Sequence, residues 1–196
     1  MKFFDKIIFM NPTDELLYSA FRQLLAEKPY RKITVRDIVD RCHVNRNTFY
    51  YHFSGIPDLM DHYLSFRIGE LLKETETCSD PFLALVPAAR EFRNSRPAVL
   101  NLRDSAAWPS LLRHMAVLCR ELSSRHMKAS AVPAAAESVA SGSRGLSGPD
   151  HAALTRFYSA SLYGCLLTWL ENDMDYDLGA DLVRVSSMLR QSEAGS

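Results

Sequence analysis

Residues 34–53 read TVRDIVDRCHVNRNTFYYHF, and the spacing within them decides the fold. Thr34 stands where its hydroxyl can accept a free amide proton from the first turn of a helix. Asp37 holds the reciprocal capping position, and Ile33 and Ile38 flank the cap as a hydrophobic staple. The helix this predicts is short and ends near Arg41. Eleven residues after Thr34 the device repeats, with Asn45 as the cap, Val44 before it and Phe49 four residues after it. Two stapled starts fix the entry angle of the chain twice. A helix-turn-helix needs this, because its second helix must be held rigidly against the first.

A helical wheel over residues 45–53 puts Phe49 and Phe53 together on the inward side. Asn47 and Tyr51 lie opposite them, flanked by Arg46, Thr48 and Tyr50. The outward face therefore carries a guanidinium, an amide, a hydroxyl and two phenols. Arginine pairs with the major-groove edge of guanine and asparagine with that of adenine. Hydroxyl groups and a histidine ring can donate to phosphates, and a helix N-terminus offers free amides to a negative backbone. Between residues 28 and 53, six cations (Lys28, Arg31, Lys32, Arg36, Arg41 and Arg46) stand against two carboxylates, Asp37 and Asp40, an excess of four positive charges. Such an excess taken alone is what any solvated face carries, and the chain as a whole has 23 basic and 23 acidic residues. Zero net charge argues against non-specific coating of nucleic acid but not against a local basic corner.

The stretch ITVRDIVDRCHVNRNTFYYHF resembles the DNA-binding domain of the TetR/AcrR regulators. The shared pattern is Ile-Thr-Val, Ile-Val, then Val-Asn-x-x-Thr-Phe-Tyr-x-His-Phe, followed by Asp58-Leu59, and it covers roughly residues 13–62. The Val-Asn-Arg-x-Thr-Phe-Tyr-Tyr-His-Phe form is similar to the subgroup of dihydroxyacetone-kinase operon regulators. The resemblance implies that Thr34 and Arg36 open a supporting helix that touches phosphate. It implies that Arg46, Asn47 and Thr48, following Asn45, face bases, and that Tyr50, Tyr51 and His52 contact the backbone. Two positions depart from the pattern. His43 stands where the turn usually has glycine, so a left-handed backbone there is strained or the turn differs. Ile56, before Pro57, stands where a lysine usually meets phosphate, which predicts weaker binding or a shallower salt dependence.

The rest of the chain also reads as helix. Leu16, Leu17, Ala20, Phe21, Leu24 and Leu25 recur at helical spacing behind Thr13, placed as a cap, and Lys28-Pro29 ends that run. Gly55 and Pro57 open a fourth helix that ends at TETCSDP. Residues 129–150, rich in Ala, Ser, Gly and Pro, predict a flexible loop. A long helix then runs through HAALTRFYSASLYGCLLTWLEND, and a last one from Leu178 to about Leu189. No strand alternation and no repeat is visible. The fold class expected is all-α, with a three-helix helix-turn-helix domain over 11–56 and a helical dimerisation and effector bundle over 57–196. The family resemblance implies that the penultimate and last helices build the dimer interface, with Phe157, Ser161, Gly164 and Thr168 on the facing stripe. It also raises an effector pocket in the middle region, for which Phe92, Trp108, Met115 and Tyr158 are the aromatic and methionine candidates.

Other functions find little support. Cys42, Cys78, Cys119 and Cys165 form no Cys-x-x-Cys pair and no zinc spacing, so reduced thiols in a cytoplasmic protein are expected. The apolar run before Asn11 is too short for a signal peptide, and no stretch nears the roughly 20 apolar residues of a membrane span. None of the six histidines sits near a nucleophile in a recognisable frame, and no glycine-rich phosphate loop is present. The reading is a regulator rather than an enzyme, with no metal and no cofactor. It binds a double-stranded operator as a homodimer, most naturally as a repressor, under the control of a small ligand. The alternatives are control by a protein partner, or a helix-turn-helix scaffold with weakened DNA binding.

Overall fold

The computed structural model describes residues 11–141 and 148–194, with side chains placed for 11–128 and 148–191. The apolar run before Asn11 and the segment 142–147 lie outside the described residues. Those described form nine α-helices and one 3-10 turn: α1 Pro12–Glu27, the turn Tyr30–Lys32, α2 Val35–Cys42, α3 Arg46–His52, α4 Ile56–Glu74, α5 Pro81–Asn94, α6 Arg96–Arg103, α7 Trp108–Ser141, α8 Gly148–Glu171 and α9 Leu178–Ala194. No strand occurs among them.

The chain divides into two compact units. One holds the residues up to Glu70 together with Phe92–His114, and the other holds Leu71–Glu91 and the residues from Met115 onward. The first unit includes the start of α4, with Leu59 and Met60 both fully buried.

In the first unit α1 packs against α2 and α6. Leu17, Phe21, Leu24 and Leu25 form its buried stripe, joined by Ile38, Phe49 and Phe53. The Tyr18 ring lies within 5.7–5.9 Å of Phe53, Tyr63 and Phe66, and Phe21 meets Tyr30 and Tyr63 edge-on. The cap of α1 is Asn11, not Thr13. Asn11 takes extended backbone and its side chain accepts from the Thr13 amide at 3.0 Å, while Pro12 at the first helical position has no N–H to leave unpaired.

A buried polar group ties α4 to the start of α7. The Ser110 hydroxyl donates to Asp61, His114 Nδ1 lies 2.8 Å from the Ser110 carbonyl, and His114 Nε2 lies 3.1 Å from Ser65 Oγ. The Ser110 proton goes to the carboxylate, and the imidazole is held between the Ser110 carbonyl and the Ser65 hydroxyl.

In the second unit Leu162, Leu166, Trp169 and Leu170 form the buried face of α8, and Trp169 Nε1 donates to the Tyr176 carbonyl at 2.9 Å across the turn into α9. Asp80 caps α5, accepting from the amides of Phe82 and Leu83 through one oxygen and from the Ser186 hydroxyl of α9 through the other. Residues 129–141, expected as loop, continue α7. Their alanines, the residues of highest helix propensity, outweigh the punctuation by Ser and Pro133.

Candidate nucleic-acid interface

Helix α2 begins in the capping box its sequence predicts. Thr34 Oγ1 accepts from the Asp37 amide at 3.2 Å, and the Thr34 amide donates to Asp37 Oδ2 at 2.7 Å. The Thr34 hydroxyl also donates to that carboxylate, at 2.7 Å, so its proton is already committed within the chain. Lys28 Nζ stands 2.8 Å from the same oxygen. The Lys28 ammonium first, and then the Thr34 donors, hold the pKa of the Asp37 carboxyl down to about 2. Arg41 grips Glu27 of α1 with both guanidinium nitrogens, at 2.7 and 2.6 Å, and this holds the Glu27 carboxyl below its ordinary range. Arg36 reaches Asp40 only at 3.4 Å, and its side chain is 86% exposed.

The turn between the helices is left-handed at His43, with φ 55° and ψ 35°. The strained alternative is therefore the one adopted. His43 ends α2 by donating its amide to the Val39 carbonyl, which also accepts from the Val44 amide at 3.1 Å. These bonds satisfy an end-of-helix carbonyl and offset the roughly 1–2 kcal/mol that a side chain costs in this conformation. Asn45 then returns to extended backbone and caps α3, accepting from the Asn47 amide at 2.8 Å.

The two faces of α3 separate as the wheel predicts. Phe49 is 0% and Phe53 2% exposed, whereas Tyr51 is 87% and Tyr50 47% exposed. Arg46 and Asn47 are exposed and Thr48 is half-buried. Arg46 Nη2 donates to the Tyr50 hydroxyl at 3.4 Å, and its guanidinium carbon lies 5.6 Å from the Tyr50 ring centre. His52 behaves differently from the two phenols grouped with it in the sequence. Its side chain is 12% exposed, and Nδ1 lies 2.6 Å from Asp14 Oδ1 of α1, which tethers the end of α3 to the first helix. Asp58 accepts from the amide and hydroxyl of Ser54 at 2.8 and 3.1 Å, closing the turn into α4. Ile56 opens that helix, half-buried.

The basic corner resolves into two groups. Lys28, Arg36 and Arg41 pair with Asp37, Asp40 and Glu27. Among the described residues Arg31, Lys32 and Arg46 meet no carboxylate.

This short, doubly capped pair of helices matches, over residues 17–63, the model of the bacterial regulatory proteins of the tetR family. The match covers 47 of the 196 residues, all of them in the N-terminal region. Solved structures similar in fold span nearly its whole length. One is the dihydroxyacetone kinase operon activator DhaS, at 14% identity and a TM-score of 0.73, covering 92% of this chain and 96% of that one. A second is the fatty acid degradation regulator FadR from Bacillus halodurans, at 17% identity and a TM-score of 0.59, with the same coverages of 92% and 96%. A third is FadR from Bacillus subtilis in complex with stearoyl-CoA, at 18% identity and a TM-score of 0.54, covering 89% and 96%. No curated protein sequence matches the chain.

Outside residues 17–63, a stripe of α8 is open. Phe157 is 67% exposed, Thr168 is exposed, Ser161 and Gly164 are half-buried, and a Cβ added at Gly164 meets nothing within 4 Å. On α9, Val185, Met188 and Leu189 are 39%, 66% and 43% exposed. The four residues expected to share an effector pocket are divided. Phe92 and Trp108 belong to the first unit, Met115 and Tyr158 to the second. Met115 is core, 2% exposed. Tyr158 sits against Phe82 and His126, with ring centres 6.1 and 5.0 Å away. The members of this cluster lie on three helices, α5, α7 and α8. No group of His, Cys, Asp or Glu fit for a metal and no helix apolar enough to cross a membrane occurs among the described residues.

Proposed function

We propose that this chain is a sequence-specific DNA-binding regulator of transcription. It acts as a homodimer, in the cytoplasm, as a repressor controlled by a small ligand in its C-terminal region. The observation that carries the reading is the two-sidedness of α3. Phe49 and Phe53 root the helix, while Arg46, Asn47, Tyr50 and Tyr51 stand in solvent with no carboxylate among them. A seven-residue helix with this face fits the major groove. Arg46, Asn47 and Thr48 read base edges, and Tyr50 and Tyr51 donate to phosphates. Arg36 joins them by leaving Asp40, since an exposed pair at 3.4 Å holds it weakly. Thr34 and Asn45 act through the helix N-termini they cap, and His52 acts by fixing α3 on α1.

Two reading heads must reach successive major grooves about 34 Å apart or a small multiple of that, which calls for a dimer. Its interface is the open stripe Phe157, Ser161, Gly164 and Thr168 with the exposed apolar residues of α9. An effector that binds one dimer state better than the other by about 1–3 kcal/mol would move the heads out of register. Phe92, Trp108, Met115 and Tyr158 remain the residues to test for it.

A second reading is favoured by DhaS, whose TM-score of 0.73 stands above the 0.59 and 0.54 of the two FadR structures. It is named an operon activator. By that analogy this chain belongs to the kinase-operon subgroup, with activation as the sign of control, and a protein partner is then the alternative to a small ligand. A thermal shift across a metabolite panel supports ligand control. Co-purification of one protein from the native cell supports the partner.

The test of DNA binding is selection from a random duplex library at about 100 mM salt, where non-specific binding is already weakened. Enrichment of a two-fold palindrome is the expected result, and its half-site spacing measures the distance between the heads. A folded dimer that enriches no sequence, with or without cell extract, leaves the weakened-scaffold alternative.

A further inference from the structure

The 3-10 turn ahead of α2 holds two cations that neither the family match nor the reading of α3 uses. Three residues per turn place Tyr30 and Ile33 on one side. Both are anchors: the Tyr30 ring meets Phe21 edge-on at 6.3 Å, and Ile33 is 6% exposed. Arg31 and Lys32, between them, are forced outward and are exposed. The backbone that carries them is closed by two hydrogen bonds, Lys32 N to the Pro29 carbonyl at 2.9 Å and Ile33 N to the Tyr30 carbonyl at 3.0 Å.

The next residue, Thr34, caps α2, so this dibasic turn leads directly into the positive end of a helix. The nearest acid in sequence, Asp37, is occupied by Lys28 at 2.8 Å and by Thr34. Neither Arg31 nor Lys32 meets a carboxylate among the described residues. Lys28 and Arg41 are neutralised within the chain by close carboxylates, while these two, on a hydrogen-bonded turn, are left as a positive patch.

We infer that Arg31 and Lys32 are a second, sequence-independent DNA contact, which clamps backbone phosphates beside each half-site while α3 reads bases. The inference rests on the proposed DNA-binding function. A phosphate clamp raises affinity for every sequence equally and steepens the salt dependence by roughly 0.9 in log–log slope for each phosphate it neutralises.

The test compares wild type, R31Q/K32Q, R31K/K32R and R46A on the selected operator and on a scrambled duplex of equal length, from about 50 to 200 mM salt. The expected result for R31Q/K32Q is a slope shallower by roughly 0.9 for each phosphate left without its cation. Both duplexes weaken by the same factor, the operator preference is kept and the melting temperature is unchanged. R31K/K32R keeps the wild-type slope, and R46A instead erodes the preference. A wild-type slope in R31Q/K32Q overturns the inference while leaving the DNA-binding reading intact, and so does a slope equally shallow in R31K/K32R. A wild type that prefers no sequence overturns the DNA-binding reading itself.

Discussion

Helices α2 and α3 are nearly equal in length, eight and seven residues, yet they dispose of their polar groups in opposite ways. On α2 every charged side chain finds a partner inside the chain. Asp37 answers Lys28 and Thr34, Asp40 answers Arg36, and Arg41 answers Glu27. On α3 there is no carboxylate, and the one guanidinium rests on the ring of its own neighbour Tyr50. One helix uses its polar chemistry to hold itself in place. The other holds itself by two phenylalanines and by the His52–Asp14 contact, which leaves its remaining polar groups unspent. A polar surface unsatisfied from within is the one arranged to be satisfied from without.

The contrast breaks most visibly at the root of α3. Replacing Phe49, which is 0% exposed, by alanine removes a fully buried ring and should cost about 3–5 kcal/mol of stability. That is a large fraction of what a domain of this kind has to lose. The measurement is a urea melt, and DNA binding should fail with the fold. Arg46→Ala is the complementary change. It should leave the melt where it was and weaken the operator complex by about 1–3 kcal/mol, with relaxed preference at one base position. Equal damage to stability from both variants would show that α3 is not divided into a root and a reading face.

What the sequence disclosed follows the same division. Both caps, the buried phenylalanines and the turn position were legible because they depend on neighbours within four residues. His52 was not, since its partner Asp14 lies on another helix and no local spacing announces it. The pairing of Arg41 with Glu27 was hidden for the same reason, so the six cations looked alike when only three are uncompensated. Residues 129–141 read as loop because serine and proline punctuate them, although helix propensity summed over the alanines won. The residues named for a pocket show a further limit of local spacing. Aromatic and methionine side chains at helical spacing do not say which body they enter, and these four fall into two.

A smaller effect is expected at the start of α2. Thr34→Ala removes the capping hydroxyl and should cost about 1 kcal/mol, read as a lower urea midpoint with an unchanged slope. The same site predicts a pH dependence. The folded carboxyl of Asp37 titrates at about 2, below its ordinary 3.8, because Lys28 and Thr34 favour the charged form. Its contribution is therefore complete above the ordinary value and is lost as pH falls from about 4 toward 2. Because the pair is partly exposed, the size of that loss is modest. Asp37→Asn should flatten this part of the profile, and Lys28→Met should narrow it. If both variants follow the wild-type curve, Lys28 is not what holds the carboxyl down.

The smallest change is at His43. Its backbone is left-handed, φ 55°, a conformation that costs a side-chain-bearing residue about 1–2 kcal/mol and glycine nothing. Glycine loses more chain entropy on folding, about 0.5–1 kcal/mol, so the two effects partly cancel. His43→Gly should therefore raise stability by no more than about 1 kcal/mol. The side chain is exposed and the turn keeps its bonds to the Val39 carbonyl, so the position of α3 should not move. Operator affinity should be unchanged, whereas Arg46→Ala, three residues further on, weakens it. A less stable His43→Gly variant would mean that the imidazole gives the turn more than the strain takes away. A weaker operator complex at unchanged stability would place His43 on the DNA side, and the reading surface would then begin in the turn and not at the first residue of α3.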